Sequence, residues 1–190
     1  PPQGKNPAEK IAYVLITITC NSNGGQPVSL KNIEQASEVC RRTNTKLFLD
    51  AARFAENAWF IKQREPEYKN KSIQEIVLIM FSFADGCTMS AKKDGLVPMG
   101  GFLGLRHEEL YEAIKPHNIL FEGFYTYGGM SGMDMEAVAQ GLREVVEESY
   151  LEHRIGQTLY LGRRLKEAGI TIVEPVGGHA VFVDGRALYP

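Results

Sequence analysis

Ile11-Ala12-Tyr13-Val14-Leu15-Ile16-Thr17-Ile18-Thr19, followed closely by Asn21-Ser22-Asn23-Gly24-Gly25-Gln26-Pro27, decides the fold class. The first stretch is β-branched and apolar at successive positions, the pattern of a strand buried on both faces of a parallel sheet. The second is a polar, glycine-rich loop, which such a strand meets at the carboxyl edge of the sheet. Working outward, Ser29 is placed to cap a helix over residues 30–42, with Ile33, Ala36 and Val39 along one stripe. The run Leu47-Phe48-Leu49 then ends at Asp50. Strand, helix and strand make one βαβ unit.

The same alternation continues. Ser72-Ile73-Gln74-Glu75 sets Ser and Glu three residues apart in front of Ile76-Val77-Leu78-Ile79-Met80-Phe81, the signature of a capping box and a further helix. Gly86-Cys87-Thr88-Met89-Ser90 reads as a short strand, and Gly100-Gly101-Phe102-Leu103-Gly104-Leu105 as its return partner beyond Ala91-Lys92-Lys93-Asp94-Gly95. Residues 134–168 are helical in character and free of proline. Unbroken, that helix would be roughly 50 Å long, so a break is expected near Glu148-Ser149. Ile170-Thr171-Ile172-Val173 and Ala180-Val181-Phe182-Val183 read as two strands joined through Pro175-Val176-Gly177-Gly178. The expectation is an α/β sheet, with a second unit just beginning where the chain stops at Pro190, as in an internal piece of a longer chain.

Composition removes whole classes of function. With 44% apolar and 23% charged positions among 190 residues, the chain is neither disordered, collagenous nor a coiled-coil rod. Its net charge of −2 is spread along the sequence, which leaves no basic field for nucleic acid or an anionic membrane. The apolar runs at 11–18 and 76–81 fall short of the roughly 20 residues of a membrane span. Pro1-Pro2-Gln3-Gly4 does not lead from basic residues into an apolar stretch, so no secretory signal is expected. Cys20, Cys40 and Cys87 form neither a disulfide framework nor a C-x-x-C site, and a reducing cytoplasm is the expected setting. The double glycines 24–25, 100–101, 128–129 and 177–178 make no nucleotide-binding loop, and no G-x-S-x-G elbow occurs. His107, His117, His153 and His179 lack metal-ligand spacing and are expected to be structural or solvent-facing.

Three places carry candidate chemistry. Asp50, with Arg53 three residues on, lies at the carboxyl edge of the sheet, where open α/β proteins bind ligands. A carboxylate there can keep a pyridine nitrogen protonated, as pyridoxal phosphate requires; equally, Asp50 can cap the next helix while Arg53 sits on the surface. Lys93 follows a strand of small residues and could form a Schiff base, with Ser90 and Lys92 beside it for a phosphate; two adjacent lysines are also a common solvated pair. Asn21 could donate to a ring oxygen or simply favour the turn.

Ser90-Ala91-Lys92-Lys93-Asp94 resembles the cofactor-lysine motif of the β-eliminating lyases, the family of tryptophanase and tyrosine phenol-lyase. Asn21-Ser22-Asn23-Gly24-Gly25-Gln26-Pro27-Val28-Ser29, Asp50-Ala51-Ala52-Arg53-Phe54-Ala55-Glu56-Asn57-Ala58, Tyr127-Gly128-Gly129 and Gly177-Gly178-His179-Ala180 resemble family segments in the family's order. The resemblance implies the aspartate aminotransferase-like fold (pyridoxal phosphate fold type I), an α/β large-domain sheet with helices on both faces followed by the start of a small α+β domain. Residues 1–147 would belong to the large cofactor domain, and 148–190 would be a connecting helix and the start of the small domain. It implies Lys93 as the covalent anchor and base, Asp50 as partner of the pyridinium nitrogen, Asn21 and Arg53 at the ring oxygen, and Ser90 and Lys92 at the phosphate. Pro98 falls where the family contributes a backbone carbonyl to a monovalent cation, usually potassium. The implied reaction is β-elimination of an aromatic amino acid by a homotetramer. Phe60-Ile61-Lys62-Gln63-Arg64-Glu65-Pro66-Glu67-Tyr68, Thr17-Ile18-Thr19 and Val97-Pro98-Met99-Gly100-Gly101 look closer to tryptophanase, which makes indole, pyruvate and ammonia from L-tryptophan. Asp85-Gly86-Cys87-Thr88-Met89-Ser90 and Val173-Glu174-Pro175 look closer to tyrosine phenol-lyase, which makes phenol from L-tyrosine; the expectation is tryptophanase, with tyrosine phenol-lyase as the alternative. Family chains are over twice this length, so the fragment alone is expected to be inactive. The contrasting possibilities are a non-catalytic α/β binding module, and an aminotransferase or aldolase using the same cofactor.

Overall fold

The structure, a computed structural model, describes residues 11–188, so the opening Pro1-Pro2-Gln3-Gly4 and the final Pro190 lie outside the described residues. In chain order the elements are β1 (Tyr13–Thr17), α1 (Leu30–Arg42), β2 (Lys46–Asp50), α2 (Phe54–Arg64), α3 (Ile73–Ser82), β3 (Gly86–Ser90), β4 (Gly101–Leu105), α4 (Glu108–Phe121), α5 (Gly132–Glu144), α6 (Glu148–Glu167) and α7 (Gly185–Leu188). β1, β2 and β3 pair in parallel in that order, and β4 returns antiparallel to β3. Helix ends follow the local chemistry. Ser29 accepts the Asn32 N–H at the start of α1, and both halves of the Ser72/Glu75 capping box form at α3. The long helical stretch divides where α5 ends and α6 begins at Glu148, as expected.

One face of the sheet is dry. Leu49 and Ala51 of β2 and its extension share one core with Ile18 and Met89, Ile33 of α1, Ile61 of α2, Ile76 and Met80 of α3, and Leu151 and Ile155 of α6, and Leu47 is buried on the same face. Side chains alternate along a strand, so the intervening positions point the other way. Parallel register lines up Leu15 with Phe48, Thr17 with Asp50, and Asp50 with Thr88 on this second face. Here the structure corrects the reading of β1 as buried on both sides: Tyr13 is 55% exposed and Leu15 46% exposed. The reason is cover. Among the described residues α4 borders this face, through Leu110 and Ile114, and it leaves a cleft of about 400 Å³ beside Tyr13, Leu15, Phe48 and Leu103.

The expected strand pair 170–173 and 180–183 is likewise reduced. It forms one antiparallel bridge, Ile172 with Val183, flanked by Val173 N–H to Phe182 O at 2.7 Å and Asp184 N–H to Thr171 O at 2.9 Å. A two-stranded ribbon without a third neighbour is marginal, and here Ile172 is buried while Val173 and Val183 are exposed.

Candidate functional site

Three strand ends deliver the candidate residues to one edge of the sheet. Asp50 closes β2, and Thr17, closing β1, donates from Oγ1 to Asp50 Oδ2 at 3.4 Å. The Ala52 N–H donates to Asp50 Oδ1 at 3.3 Å. Two long bonds leave a carboxylate with acceptor capacity free. Ser90 closes β3, and Lys93 folds back so that Nζ donates to Ser90 Oγ at 3.0 Å. Lys93 is half-buried and Lys92 exposed. Arg53, also half-buried, sits in the turn ahead of α2, and its carbonyl accepts from Thr19 Oγ1 at 3.1 Å. Asn21 is exposed and opens a single 3-10 turn, Asn21–Asn23, after β1. Pro98 is exposed in the loop that precedes β4. The acid Asp50 and the amine Lys93 therefore share the carboxyl edge with Asn21, Arg53, Ser90 and Lys92. Pro98 lies on the connection beyond them.

The reading of Asp50 as the cap of the next helix is corrected. Arg53 holds the N-cap position of α2 without a side-chain cap, and the carboxylate that serves the helix belongs to Asp94. Asp94 Oδ2 accepts the N–H groups of Ala55 at 2.8 Å and Glu56 at 3.3 Å. Asp50 is thereby free for other use.

A buried polar layer beneath this edge was absent from the sequence reading. Asn57, fully buried, accepts at Oδ1 from the backbone N–H groups of Val28 (2.8 Å) and Thr19 (3.3 Å), and its Nδ2 donates to Val28 O at 2.9 Å. It ties the Asn21 loop to α2. Glu56, also fully buried, meets Arg154 of α6, with Nη2 2.5 Å from Oε1. His179 stands between Glu56 and the site: Nδ1 is 3.1 Å from Glu56 Oε2, and Nε2 is 3.0 Å from the Asn21 side-chain oxygen. A carboxylate only accepts, so the Nδ1 proton donates to Glu56. Gly178 leaves room for this carboxylate, since a Cβ there would lie 2.5 Å from Glu56 Oε2 and force it to shift. The visible signal for this layer was the polar pair Glu56-Asn57 set inside Phe54-Ala55 and Ala58, on a helix whose first turns are buried.

Charges in this layer act on one another. Burial, and then the Glu56 carboxylate, push the Asp94 carboxyl up to about 7, against the pull of Arg154 and the two α2 N–H groups. Burial works against the Arg154 charge, but Glu56, followed by Asp94, outweighs it and holds the guanidinium above its usual range. At the opposite, amino edge of the sheet, His107 and Lys46 both bond Asp85 Oδ1, at 2.6 and 3.3 Å, while the Leu47 N–H takes Oδ2 at 2.9 Å. Burial opposes these bonds, which prevail and hold the Asp85 carboxyl below its usual range. His107 is thus structural, as expected of it. Among the described residues no group of three His, Cys, Asp or Glu is arranged for a metal ion, and no helix is long and apolar enough to cross a membrane.

Known proteins are similar to this chain in sequence and in fold. A tyrosine phenol-lyase of Fusobacterium nucleatum is 54% identical over 183 residues, which is 96% of this chain and 40% of that protein. A tryptophanase of Salinibacter ruber is 53% identical over 182 residues, 96% of this chain and 39% of that protein. The chain therefore spans about 40% of the length of these relatives. Among solved structures, an aromatic amino acid β-eliminating lyase/threonine aldolase from an Exiguobacterium species superposes with a TM-score of 0.68 at 18% identity, covering 91% of this chain and 45% of that one. An omega-transaminase from Sphaerobacter thermophilus gives 0.56 at 18% identity, with 92% and 37% covered. At such identity these two show the fold alone, which is the aminotransferase-like α/β fold of type I pyridoxal phosphate enzymes. The family model of the β-eliminating lyases matches residues 3–185, and this chain belongs to that family.

Proposed function

We propose that the whole protein carrying this chain is a pyridoxal-phosphate-dependent lyase that eliminates the aromatic side chain of an amino acid. The observation that carries the reading is the shared sheet edge: an amine, Lys93, held on Ser90 Oγ at 3.0 Å, and a carboxylate, Asp50, with acceptor capacity to spare. This donor set fits the cofactor. Lys93 supplies the nucleophilic amine, Asp50 an anion for a ring N–H, Ser90 a hydroxyl and Lys92 a positive charge for a phosphate, and Asn21 and Arg53 donors for a ring oxygen. When bound, pyridoxal phosphate supplies an electron sink for the carbanion formed next to the amino group. The rest falls to the protein. Lys93 Nζ would hold the cofactor and, with the substrate amine in its place, would act as the base for the substrate α-proton; Ser90 Oγ, 3.0 Å away, steadies that amine. Asp50 keeps its partner nitrogen protonated and is itself steadied by Thr17. Pyruvate and ammonia then accompany the departing aromatic ring. A potassium ion near the Pro98 carbonyl, tetramer formation, and the division at residue 148 into large and small domains belong to the same proposal.

Two substrates are open to this chemistry. Tryptophan is favoured by the 60–68, 17–19 and 97–101 segments. Tyrosine is favoured by the 85–90 and 173–175 segments and by the names of several relatives at 50–54% identity, while a tryptophanase stands at 53%. The test uses the full-length protein. It should gain a visible absorption band on addition of pyridoxal phosphate, lose it in Lys93→Ala, and release indole from tryptophan or phenol from tyrosine. A band that persists in Lys93→Ala removes the lysine assignment. A keto acid with the carbon skeleton intact points to amino transfer instead, and no uptake of cofactor points to a binding module.

A further inference from the structure

Immediately after Lys93 comes a carboxylate that does none of the work assigned above and is 1% exposed. Burying an acid is costly unless it is well paired, so its partners indicate what it holds. Asp94 reaches across to α2 and accepts the first-turn N–H groups of Ala55 and Glu56, at 2.8 and 3.3 Å. Those donors have no partner within the helix, and the positive end of the helix dipole favours an anion there. The Asp94 backbone N–H donates in the same direction, to Ala52 O at 3.1 Å. Three hydrogen bonds from one residue thus run to residues 52, 55 and 56, which bracket Arg53 and follow Asp50.

The Lys93 turn is hemmed in elsewhere too. A Cβ on Gly95 would lie 2.4 Å from Ala91 O, and a Cβ on Gly141 of α5 would meet Gly95 O, so α5 packs backbone to backbone on the turn. With the chain this confined, the attachment at Asp94 sets where the preceding residue sits.

Resting on the proposed anchoring role of Lys93, we infer that Asp94 is the positioning residue for that lysine: its carboxylate latches the Lys93 turn to the Asp50–Arg53 turn, so that amine and acid are presented as one rigid piece. Asp94 is not a catalytic residue, since it touches the start of α2 and not the reacting groups. It works through the backbone on either side.

The test compares Asp94→Ala, Asp94→Asn and Ser72→Ala in the full-length protein. Ser72 caps a different helix, α3, and serves as the reference for losing a cap with no connection to the lysine. The primary readout needs no cofactor: the ratio of labelling rates at Lys93 and Lys92 by an amine-reactive reagent, read by peptide mass mapping of the apoprotein. Asp94→Ala is expected to raise the Lys93/Lys92 ratio at least threefold, Asp94→Asn to restore most of the native ratio because it keeps an acceptor oxygen, and Ser72→Ala to leave it unchanged. The second readout is capture of pyridoxal phosphate by visible absorption, expected to weaken at least tenfold in Asp94→Ala and less than twofold in Ser72→Ala. An Asp94→Ala labelling ratio equal to that of Ser72→Ala overturns the inference, whatever the cofactor does. A native protein that captures no cofactor overturns the proposed function instead, while a raised ratio would still support the latch. If Asp94→Ala does not fold, Asp94→Asn decides: a native-like fold with the native ratio supports the latch, and a raised ratio despite the retained oxygen overturns the acceptor role.

Discussion

The two faces of the sheet do different work: Leu47, Leu49 and Met89 lie on one, while Leu15 and Phe48 share the other with Thr17, Asp50 and Thr88. On one, Leu49 shares its core with residues of α1, α2, α3 and α6, and Leu47 and Leu49 are at most 1% exposed. On the other, Leu15 and Tyr13 border an open cleft, and the same face carries Asp50 and Thr88 toward the carboxyl edge. Burying a large aliphatic side chain contributes about 1.5–3 kcal/mol, so the covered face supplies most of the chain's stability. The open face contributes little to that sum and presents chemistry. The difference shows that an apolar strand pattern records how many covers a strand is meant to have, without saying which part of a protein provides them.

The largest effect should come from the carboxylate at the rim of the covered side. Asp94 has its folded-state value raised, to about 7 from an ordinary 3.8, so the folded chain holds its proton more tightly than the unfolded chain does. The associated stability is complete below the unfolded value and is lost as pH rises between about 4 and about 7. At roughly 1.4 kcal/mol per unit, the full loss is on the order of 4–5 kcal/mol. The groups facing Asp94 are Glu56, whose charge drives the effect, and Arg154 with the α2 N–H groups, which temper it. Asp94→Asn cannot titrate. Urea denaturation across that window should therefore show native stability falling relative to Asp94→Asn, and a constant difference would mean the acid is ionised throughout.

Next in size is Leu49→Ala, at the centre of the dry face and 0% exposed. Losing its side chain from between α1 and α3 should cost about 3 kcal/mol, within the 2–5 kcal/mol usual for such truncations, measured as a lower urea midpoint at unchanged slope.

Much of this was legible along the chain because it is local. Ser29 and the Ser72/Glu75 box declare helix starts within four residues, and Gly86-Cys87-Thr88-Met89-Ser90 with its return at 101–105 declares a strand pair across one loop. The position of Asp50, Ser90 and Lys93 at one edge followed from the βαβ order. What stayed hidden is non-local. The burial of Glu56 and Asn57 is accounted for by partners 98 and 29 positions away, Arg154 and Val28, which no local pattern announces. α2 has no cap in its own sequence because Asp94 supplies it from beyond α3 and β3. α4 passes Pro116 inside the helix, where a sequence pattern reads a stop. His179 carried no recognisable spacing, since both its partners come from other parts of the chain.

The smallest effect tests the open face directly. Leu15 lies opposite Phe48, 46% exposed, in a cleft that α4 borders through Leu110 and Ile114 without covering it. Leu15→Ser removes apolar surface that water already reaches, so the stability of this 190-residue chain should change by less than about 0.5 kcal/mol, as for surface substitutions in general. Tyr13, Leu15 and Leu103 together form the kind of exposed apolar patch that promotes association, so the same substitution should lower self-association in sedimentation velocity. A loss comparable to that of Leu49→Ala would mean that Leu15 is buried after all, and the two faces would have to be regarded as equivalent. If instead Leu15→Ser is neutral here but costs about 2 kcal/mol or more in the full-length protein, the contrast sharpens, because the missing cover then lies in the rest of that protein.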